Sequence, residues 1–258
     1  MIAPNKTRES FQLRVKRQDR PDGEPYWETF KLEYKPNMNV ISALQAAAAN
    51  PVTIDGKNST PVAYLAACLE EVCGSCTALV NGKVCQMCSQ LVDDHLGDDG
   101  IITLEPMTKF PVIRDLMVDR TRLFDDLIDI QGWVPIDGTY DLGHGPTESP
   151  KNQDRRYKLS RCMSCGCCLE VCPQYTVDNT FVGAAVISQV EYFNSHPTGG
   201  ELKDPRLKRM EGVGGVNDCG NAQNCVKVCP KEIPLTESIA RVGRATTVHA
   251  IKKFFVGD

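Results

Sequence analysis

The sequence predicts an α+β protein in two modules, a small mixed module followed by a mainly helical one. Three observations carry this. The 258 residues suit two modest domains, since domains commonly run to ~100–150 residues. The thirteen cysteines fall in three groups, and a 73-residue stretch without cysteine, 89 to 161, separates the first group from the second. Strand-like alternation belongs to the first module, whereas helical spacing dominates the second. The expected divisions are a first module over 1–130, a linker over 131–156 and a helical module over 157–258.

The elements follow in chain order. Phe11, Leu13 and Val15 alternate with Gln12, Arg14 and Lys16, and Phe30, Leu32 and Tyr34 repeat the pattern. The turn-rich run Arg20 to Pro25 between them reads as a hairpin loop. Asn39 is placed to cap a helix over Val40 to Ala49, which Asn50-Pro51 would stop. Beyond the first cysteines, Pro111 stands where a helix can begin. Ile113, Leu116, Met117, Leu123, Phe124 and Leu127 then keep a spacing of three to four, predicting an amphipathic helix over Pro111 to Ile130. The Gly- and Pro-rich segment Pro135 to Arg156 reads as an ordered loop between modules. Val177 to Phe193 and Pro234 to Phe255 read as helices.

Composition removes several function classes. With 29 basic and 33 acidic residues the net charge is −4, which argues against nucleic acid, whose binders usually present a basic face. The longest uncharged stretch, Pro36 to Ile54, holds Asn37, Asn39, Gln45, Asn50 and Pro51, too polar for a membrane span of ~20 residues. The opening MIAPNKTRES has no apolar signal-peptide core. The expectation is a soluble, cytoplasmic chain. An odd cysteine count with no sign of export points to metal–thiolate chemistry in preference to disulfides.

The second and third cysteine groups speak most clearly. Cys162, Cys165, Cys168 and Cys172, the last followed by Pro173, match the bacterial iron–sulfur spacing C-x2-C-x2-C-x3-C-P. Three thiolates of such a loop grip one cube, and the fourth is carried to the other cluster. Reading backward from Cys229-Pro230, a second run needs cysteines at 225, 222 and 219. Cys225 and Cys219 are there, but position 222 is Ala222. One corner lacks its ligand, and a [3Fe–4S] cluster is what remains. Exchange of the fourth ligands assigns Cys162, Cys165, Cys168 and Cys229 to [4Fe–4S], and Cys172, Cys219 and Cys225 to [3Fe–4S]. Cys167 lies off this register and reads as a packed free thiol. Zinc is the bland alternative, but it favours closed four-ligand sites with paired C-x-x-C spacings.

The first group, Cys68-x4-Cys73-x2-Cys76, has the plant-type [2Fe–2S] spacing. Gly74 and Ser75 are small enough for backbone amides to approach the cluster sulfurs. The fourth ligand is Cys85 or Cys88, and spacing alone does not choose between them. Other features read as structural. The run Gly212-Val213-Gly214-Gly215 follows no predicted strand, so it is a loop and not a phosphate cradle. His95, His144, His196 and His249 are scattered, and Asn5-Lys6-Thr7 and Asn58-Ser59-Thr60 match a glycosylation pattern by chance.

Three clusters with no substrate-pocket signature describe a wire for single electrons. A two-electron donor such as a flavin suits one end, and a quinone or haem suits the other. The order and spacing of the three sets resemble the iron–sulfur subunits of succinate dehydrogenase and fumarate reductase along nearly the whole chain. CLEEVCGSC (Cys68 to Cys76), ITLEPMTKFPVIRDLMVD (Ile102 to Asp119) and CVKVCPKEI (Cys225 to Ile233) extend the likeness beyond the cysteines. The resemblance implies a β-grasp plant-type ferredoxin domain followed by a helical bacterial-type dicluster ferredoxin domain. It implies that Cys88 is the fourth [2Fe–2S] ligand and Cys85 the extra thiol.

The resemblance also implies partners: an FAD-containing flavoprotein that oxidises succinate, and a membrane-anchor cytochrome b subunit with haem b where quinone is reduced. The chain would sit peripherally on the cytoplasmic face of the bacterial inner membrane. The same architecture run backward is a quinol:fumarate reductase, and a free soluble multi-cluster carrier is a further alternative. One departure matters. Many ubiquinone-reducing members carry tryptophans after the first Cys-Pro and a histidine after the first cysteine of the third group. Here Pro173 is followed by Gln174, Tyr175, Thr176 and Val177, and Cys219 by Gly220. The quinone-site residues are therefore not carried over. CLEEVCG resembles instead the branch with a dihaem cytochrome b anchor, which implies menaquinone.

Overall fold

The computed structural model describes residues 9–135 and 147–256. The chain forms two compact units, Met1–Asp119 and Arg120–Asp258. In the first, the alternating runs form the hairpin β1 (Ser10–Arg17) and β2 (Tyr26–Glu33), with Phe11 opposite Leu32 and Leu13 opposite Phe30. Their shared face is buried, because a period of two sends Phe11, Leu13, Val15, Phe30 and Leu32 to the same side. Helix α1 covers Val40–Ala49 as the sequence predicts. Asn39 caps it: its Oδ1 accepts from the Ser42 amide at 2.8 Å, and its Nδ2 donates to the Cys88 carbonyl at 3.2 Å. One side chain thus starts the helix and holds the strand-end turn that carries Cys88.

The sheet is completed by β3 (Thr77–Val80), β4 (Lys83–Gln86) and β5 (Ile101–Glu105), in the order β2-β1-β5-β3-β4, with β1 and β5 parallel. The β3–β4 hairpin carries a local sequence signal of its own. Asn81-Gly82 is the two-residue turn, both residues left-handed (φ 48° and 74°), and Asn-Gly is the strongest short hairpin signal. A single turn, α2 (Val92–His95), follows. Val40, Ile41, Ala43, Leu44 and Ala47 of α1 join the sheet's buried face in one core with Ile102 and Leu104.

The helix expected over Pro111 to Ile130 is not continuous. Residues 112–118 form a small hairpin, β6 (Val112–Arg114) and β7 (Met117–Val118), and only α3 (Thr121–Asp129) is helical. Tertiary bonds override the periodicity. Asp115, fully buried, sits in the turn with φ 47°. Its Oδ1 accepts from Arg17 Nε at 2.9 Å and from the Gln18 amide at 3.1 Å, and its Oδ2 accepts from the Ala63 amide at 2.8 Å. The Leu116 amide donates to the Ala63 carbonyl at 3.1 Å. The stripe read as core is divided accordingly: Leu116 and Leu123 are buried, whereas Ile113 and Phe124 are exposed.

The second unit is helical. α4 (Pro150–Ser160) begins with the Ser149 hydroxyl accepting from the Asn152 amide, so residues 150–156, expected as loop, are its first turns. The middle of the expected linker, residues 136–146, lies outside the described residues. Then come the short α5 (Cys167–Glu170), α6 (Gly183–Ser195), α7 (Lys203–Glu211), the short α8 (Asn224–Lys227) and the long α9 (Leu235–Val256). α6 starts later than the predicted Val177, while α9 agrees with its prediction to within one residue at each end. Arg206 of α7 is wholly buried, with no carboxylate partner among the described residues. Its guanidinium donates instead to the carbonyls of Gln131, Trp133 and Gly199 and to Asn194 Oδ1, at 2.6–3.1 Å. Among the described residues no helix is long and apolar enough to cross a membrane.

Candidate iron–sulfur sites

The loop from Cys68 to Cys76 is wound so that backbone amides face sulfur. Leu69, Glu71 and Gly74 are left-handed (φ 59°, 55° and 71°), and such residues between ordinary ones turn successive N–H groups into one concavity. The amides of Glu70, Val72 and Cys73 donate to Cys68 Sγ at 3.3–3.4 Å, and that of Ser75 to Cys73 Sγ at 3.5 Å. A leucine and a glutamate in this region cost on the order of 1–3 kcal/mol each, so the strain is held for a purpose. The Ser75 hydroxyl, helped by the Cys68 and Ser75 amides, draws the Cys73 thiol down to about 6. Cys73 is therefore disposed to be a thiolate, the form that binds metal.

Cys76, Cys85 and Cys88 stand on the β3–β4 hairpin and its end. Ala78 of β3 faces Cys85 of β4, whose side chain packs against the core. Burial pushes both Cys76 and Cys85 up to about 12. Cys88 approaches Cys76 with its backbone amide and its thiol together, whereas the backbone group at Cys85 is that of Val80. Gln86 braces the loop: its Nε2 donates to Thr77 Oγ1 at 2.7 Å, Thr77 Oγ1 to the Gly74 carbonyl at 3.1 Å, and Cys76 Sγ to Gln86 Oε1 at 3.6 Å.

The other eight cysteines line two pockets in the helical unit. Cys162, Cys165, Cys168 and Cys229 share one, with about 370 Å³ of space not filled by protein atoms. Left-handed Ser164 and Gly166 (φ 50° and 89°) shape its loop, and Arg120 Nη1 donates to the carbonyls of Ser164 and Cys165 at 3.3 and 3.2 Å. Cys172, Cys219 and Cys225 line the other, about 380 Å³, with Ala222 completing the ring between left-handed Asn221 and Gln223 (φ 52° and 58°). The crossing read from the spacing is thus present in space: Cys172 leaves its run for the third group, and Cys229 joins the run. The thiols ring these pockets instead of converging on a point. Among the described residues no three His, Cys, Asp or Glu side chains are grouped to hold a single metal ion. That arrangement fits a cluster, which offers each thiolate its own iron.

Cys167 is packed, as its place off the register suggests. It is 1 % exposed and lines the same pocket as Cys165, and its side chain, hydrogen-bonded to Cys165, draws that thiol down to about 7. Cys168 moves the other way, driven up by burial and then by its thiol neighbours. Gly220 packs against the end of Gln174, whose Nε2 would lie 2.5 Å from a Cβ there. The histidine of other members would not fit unless Gln174 moved. Gly214, inside the glycine run, has φ +80° and would drive a Cβ to 2.0 Å from the Thr180 carbonyl. The run is a turn, the loop expected, with Gly214 packed closely against Thr180.

Residues 12–125 match the model of a 2Fe-2S iron–sulfur cluster binding domain, and residues 158–233 that of a 4Fe-4S dicluster domain. The chain is 50% identical over 244 residues to the succinate dehydrogenase iron–sulfur subunit of Bacillus subtilis, covering 95% of each. It belongs to the family of succinate dehydrogenase iron–sulfur subunits. The fumarate reductase iron–sulfur subunit of Wolinella succinogenes is 28% identical over 222 residues, 85% of this chain and 89% of the relative. In fold the chain resembles one from the Mycobacterium smegmatis Sdh1 complex in the apo form, with TM-score 0.79 and 22% identity over 98% of this chain and 100% of that one. Members of this family are electron-transfer subunits of an oxidoreductase complex, working beside a flavoprotein subunit. [2Fe–2S], [4Fe–4S] and [3Fe–4S] clusters are the family's cofactors. FAD and haem reside on partner subunits.

Proposed function

We propose that this chain carries electrons from an FAD-containing, succinate-oxidising subunit to quinone at a cytochrome b anchor, peripherally on the cytoplasmic face of the bacterial inner membrane. In this reading Cys68, Cys73, Cys76 and Cys88 hold [2Fe–2S]. Cys162, Cys165, Cys168 and Cys229 hold [4Fe–4S], and Cys172, Cys219 and Cys225 hold [3Fe–4S]. The domain limits follow the same reading: 1–130 for the first cluster, 157–258 for the other two, and 131–156 between. When bound, such clusters accept and release single electrons at potentials tuned by charge, burial and hydrogen bonds to sulfur.

The chain's residues supply that tuning. Amides of Glu70, Val72 and Cys73 offer positive partial charge to Cys68, and Cys168 and Cys225 are buried where they line their pockets. Ala222 presents a methyl group where a fourth thiolate would stand. The single observation that carries the reading is the exchange of Cys172 and Cys229 between the two pockets. Greater identity to a succinate dehydrogenase than to a fumarate reductase subunit favours succinate oxidation as the direction.

The test is to separate the ends of the wire. In membranes carrying the whole complex, Cys225→Ser is expected to abolish succinate-driven quinone reduction while leaving reduction of a soluble dye by the flavoprotein. Undiminished quinone reduction contradicts the proposal. The choice of fourth [2Fe–2S] ligand has its own test. Cys85→Ser keeps the [2Fe–2S] electron paramagnetic resonance signal and Cys88→Ser disturbs it; the reverse result assigns the ligand to Cys85.

A further inference from the structure

α9 carries a face that the electron path does not use. Arg241, Arg244, Val248, Ile251 and Phe255 recur at intervals of three and four, so they lie along one side of the helix. Toward its start this side forms a wall of a cleft in the helical unit, with about 1130 Å³ of space not filled by protein atoms. Arg155, Lys203, Arg241, Arg244 and Lys252 bring five cations to that cleft, against the carboxylates of Glu191 and Asp204. Arg155 pairs with Glu191 at 3.5 Å. Arg241 and Lys203 also act on Glu191 through space, whereas the side chains of Arg244 and Lys252 make no hydrogen bond or ion pair among the described residues. This surplus stands out on a chain whose net charge is −4.

Toward its end the same side turns apolar. Phe254 and Phe255 are 84% and 79% exposed, stacked edge to face at 5.3 Å, with Ile251 and Val248 exposed behind them. Unpaired cations beside protruding aromatics are the composition of interfacial helices: rings enter the headgroup boundary while lysine and arginine reach phosphate.

We propose that this face of α9, with the cleft beside it, binds anionic phospholipid directly. Phosphate headgroups occupy the cationic cleft, and Phe254, Phe255 and Ile251 lie against the bilayer boundary. The contact is made by this chain itself, in addition to any anchor subunit, and it does not depend on which cysteine holds which cluster.

The test uses the full chain carrying its clusters, sedimented with phosphatidylcholine vesicles and with vesicles containing phosphatidylglycerol as well. Binding is expected only to the second. It should weaken steeply as salt rises from ~0.15 M to ~1 M, where the screening length falls from ~8 to ~3 Å. Each cation near an anionic surface is worth about fivefold in partitioning, so Arg241→Gln/Arg244→Gln/Lys252→Gln should lose on the order of a hundredfold. Lys31→Gln/Lys35→Gln/Lys57→Gln removes the same charge from exposed sites of the other unit and should leave binding unchanged. Phe254→Ser/Phe255→Ser should weaken it at all salt concentrations. Unaltered visible absorbance shows that the variants keep their clusters. Equal binding to both vesicles, equal loss in the two triple variants, or no binding at all overturns the proposal. So does a cleft that takes up inorganic pyrophosphate in solution while vesicles stay unbound. A triple variant that binds vesicles normally but fails to assemble with the partner subunits assigns the face to a protein and overturns it too.

Discussion

Ala222→Cys is expected to convert the three-thiolate pocket into a four-thiolate one and to turn a [3Fe–4S] cluster into [4Fe–4S]. Position 222 lines the pocket with Cys172, Cys219 and Cys225, and it sits where a second C-x2-C-x2-C run needs its middle cysteine. The added iron and its thiolate leave the net charge of the centre unchanged but alter the cluster type, and cluster type is one determinant of potential over the span of ~1 V that such clusters cover. The potential should fall by on the order of 100 mV. At 59 mV per tenfold for one electron, the reduced form then becomes about fiftyfold less populated at a fixed poise. Succinate-driven quinone reduction should slow markedly while dye reduction at the flavoprotein is untouched. The check is the loss of the oxidised three-iron resonance and a redox titration of its replacement. An unchanged three-iron signal contradicts the place given to Ala222.

The second large effect is structural. Arg17 and Asp115 are each completely buried, 98 positions apart, and joined at 2.9 Å. Arg17 also donates to Glu28 Oε2 at 2.5 Å, to the Thr60 carbonyl at 3.2 Å and to Thr60 Oγ1 at 3.1 Å. Sheet, β6–β7 turn and the segment leading to Cys68 therefore meet on one guanidinium. Arg17→Ala leaves the Asp115 carboxylate buried without its cation, which costs about 3–5 kcal/mol. Replacing both, as Arg17→Met/Asp115→Leu, should recover part of that loss, because the wholly buried Asp115 charge is no longer stranded, while Glu28 still loses its cation and the Gln18 and Ala63 amides their acceptor. Urea unfolding followed by far-ultraviolet dichroism measures both. A double variant as unstable as the single one would show that the geometry of the bonds matters more than the stranded charge.

Much of this was legible because it is local. The β1–β2 register follows from a period of two, α1 from a cap and a Pro stop, and the cysteine exchange from counting residues. The errors came where distant groups decide. Ile113, Leu116 and Met117 obey helical spacing, yet the buried Asp115 caught by Arg17 makes a hairpin there. α7 was missed because Arg206, a residue usually outside, occupies the buried face beside Leu207 and Met210. Its partners are carbonyls from Gln131, Trp133 and Gly199, which no local pattern announces. The β3–β4 hairpin was a different failure, since Asn81-Gly82 was in plain view. Among the site residues, the amides gathered on Cys68 were foreseen only through the smallness of Gly74 and Ser75. The left-handed Leu69 and Glu71 that aim them carry no sequence signal, and the bond from Cys167 to Cys165 depends on loop geometry that spacing does not encode.

The most direct test of the electron path is a low-temperature electron paramagnetic resonance spectrum of native membranes, recorded oxidised and again after adding succinate. The account predicts a three-iron signal in the oxidised sample that vanishes with succinate as a [2Fe–2S] signal appears. A three-iron signal that succinate leaves untouched would contradict the flavoprotein donor, and the absence of any three-iron signal would contradict the ligand set built on Cys172, Cys219, Cys225 and Ala222.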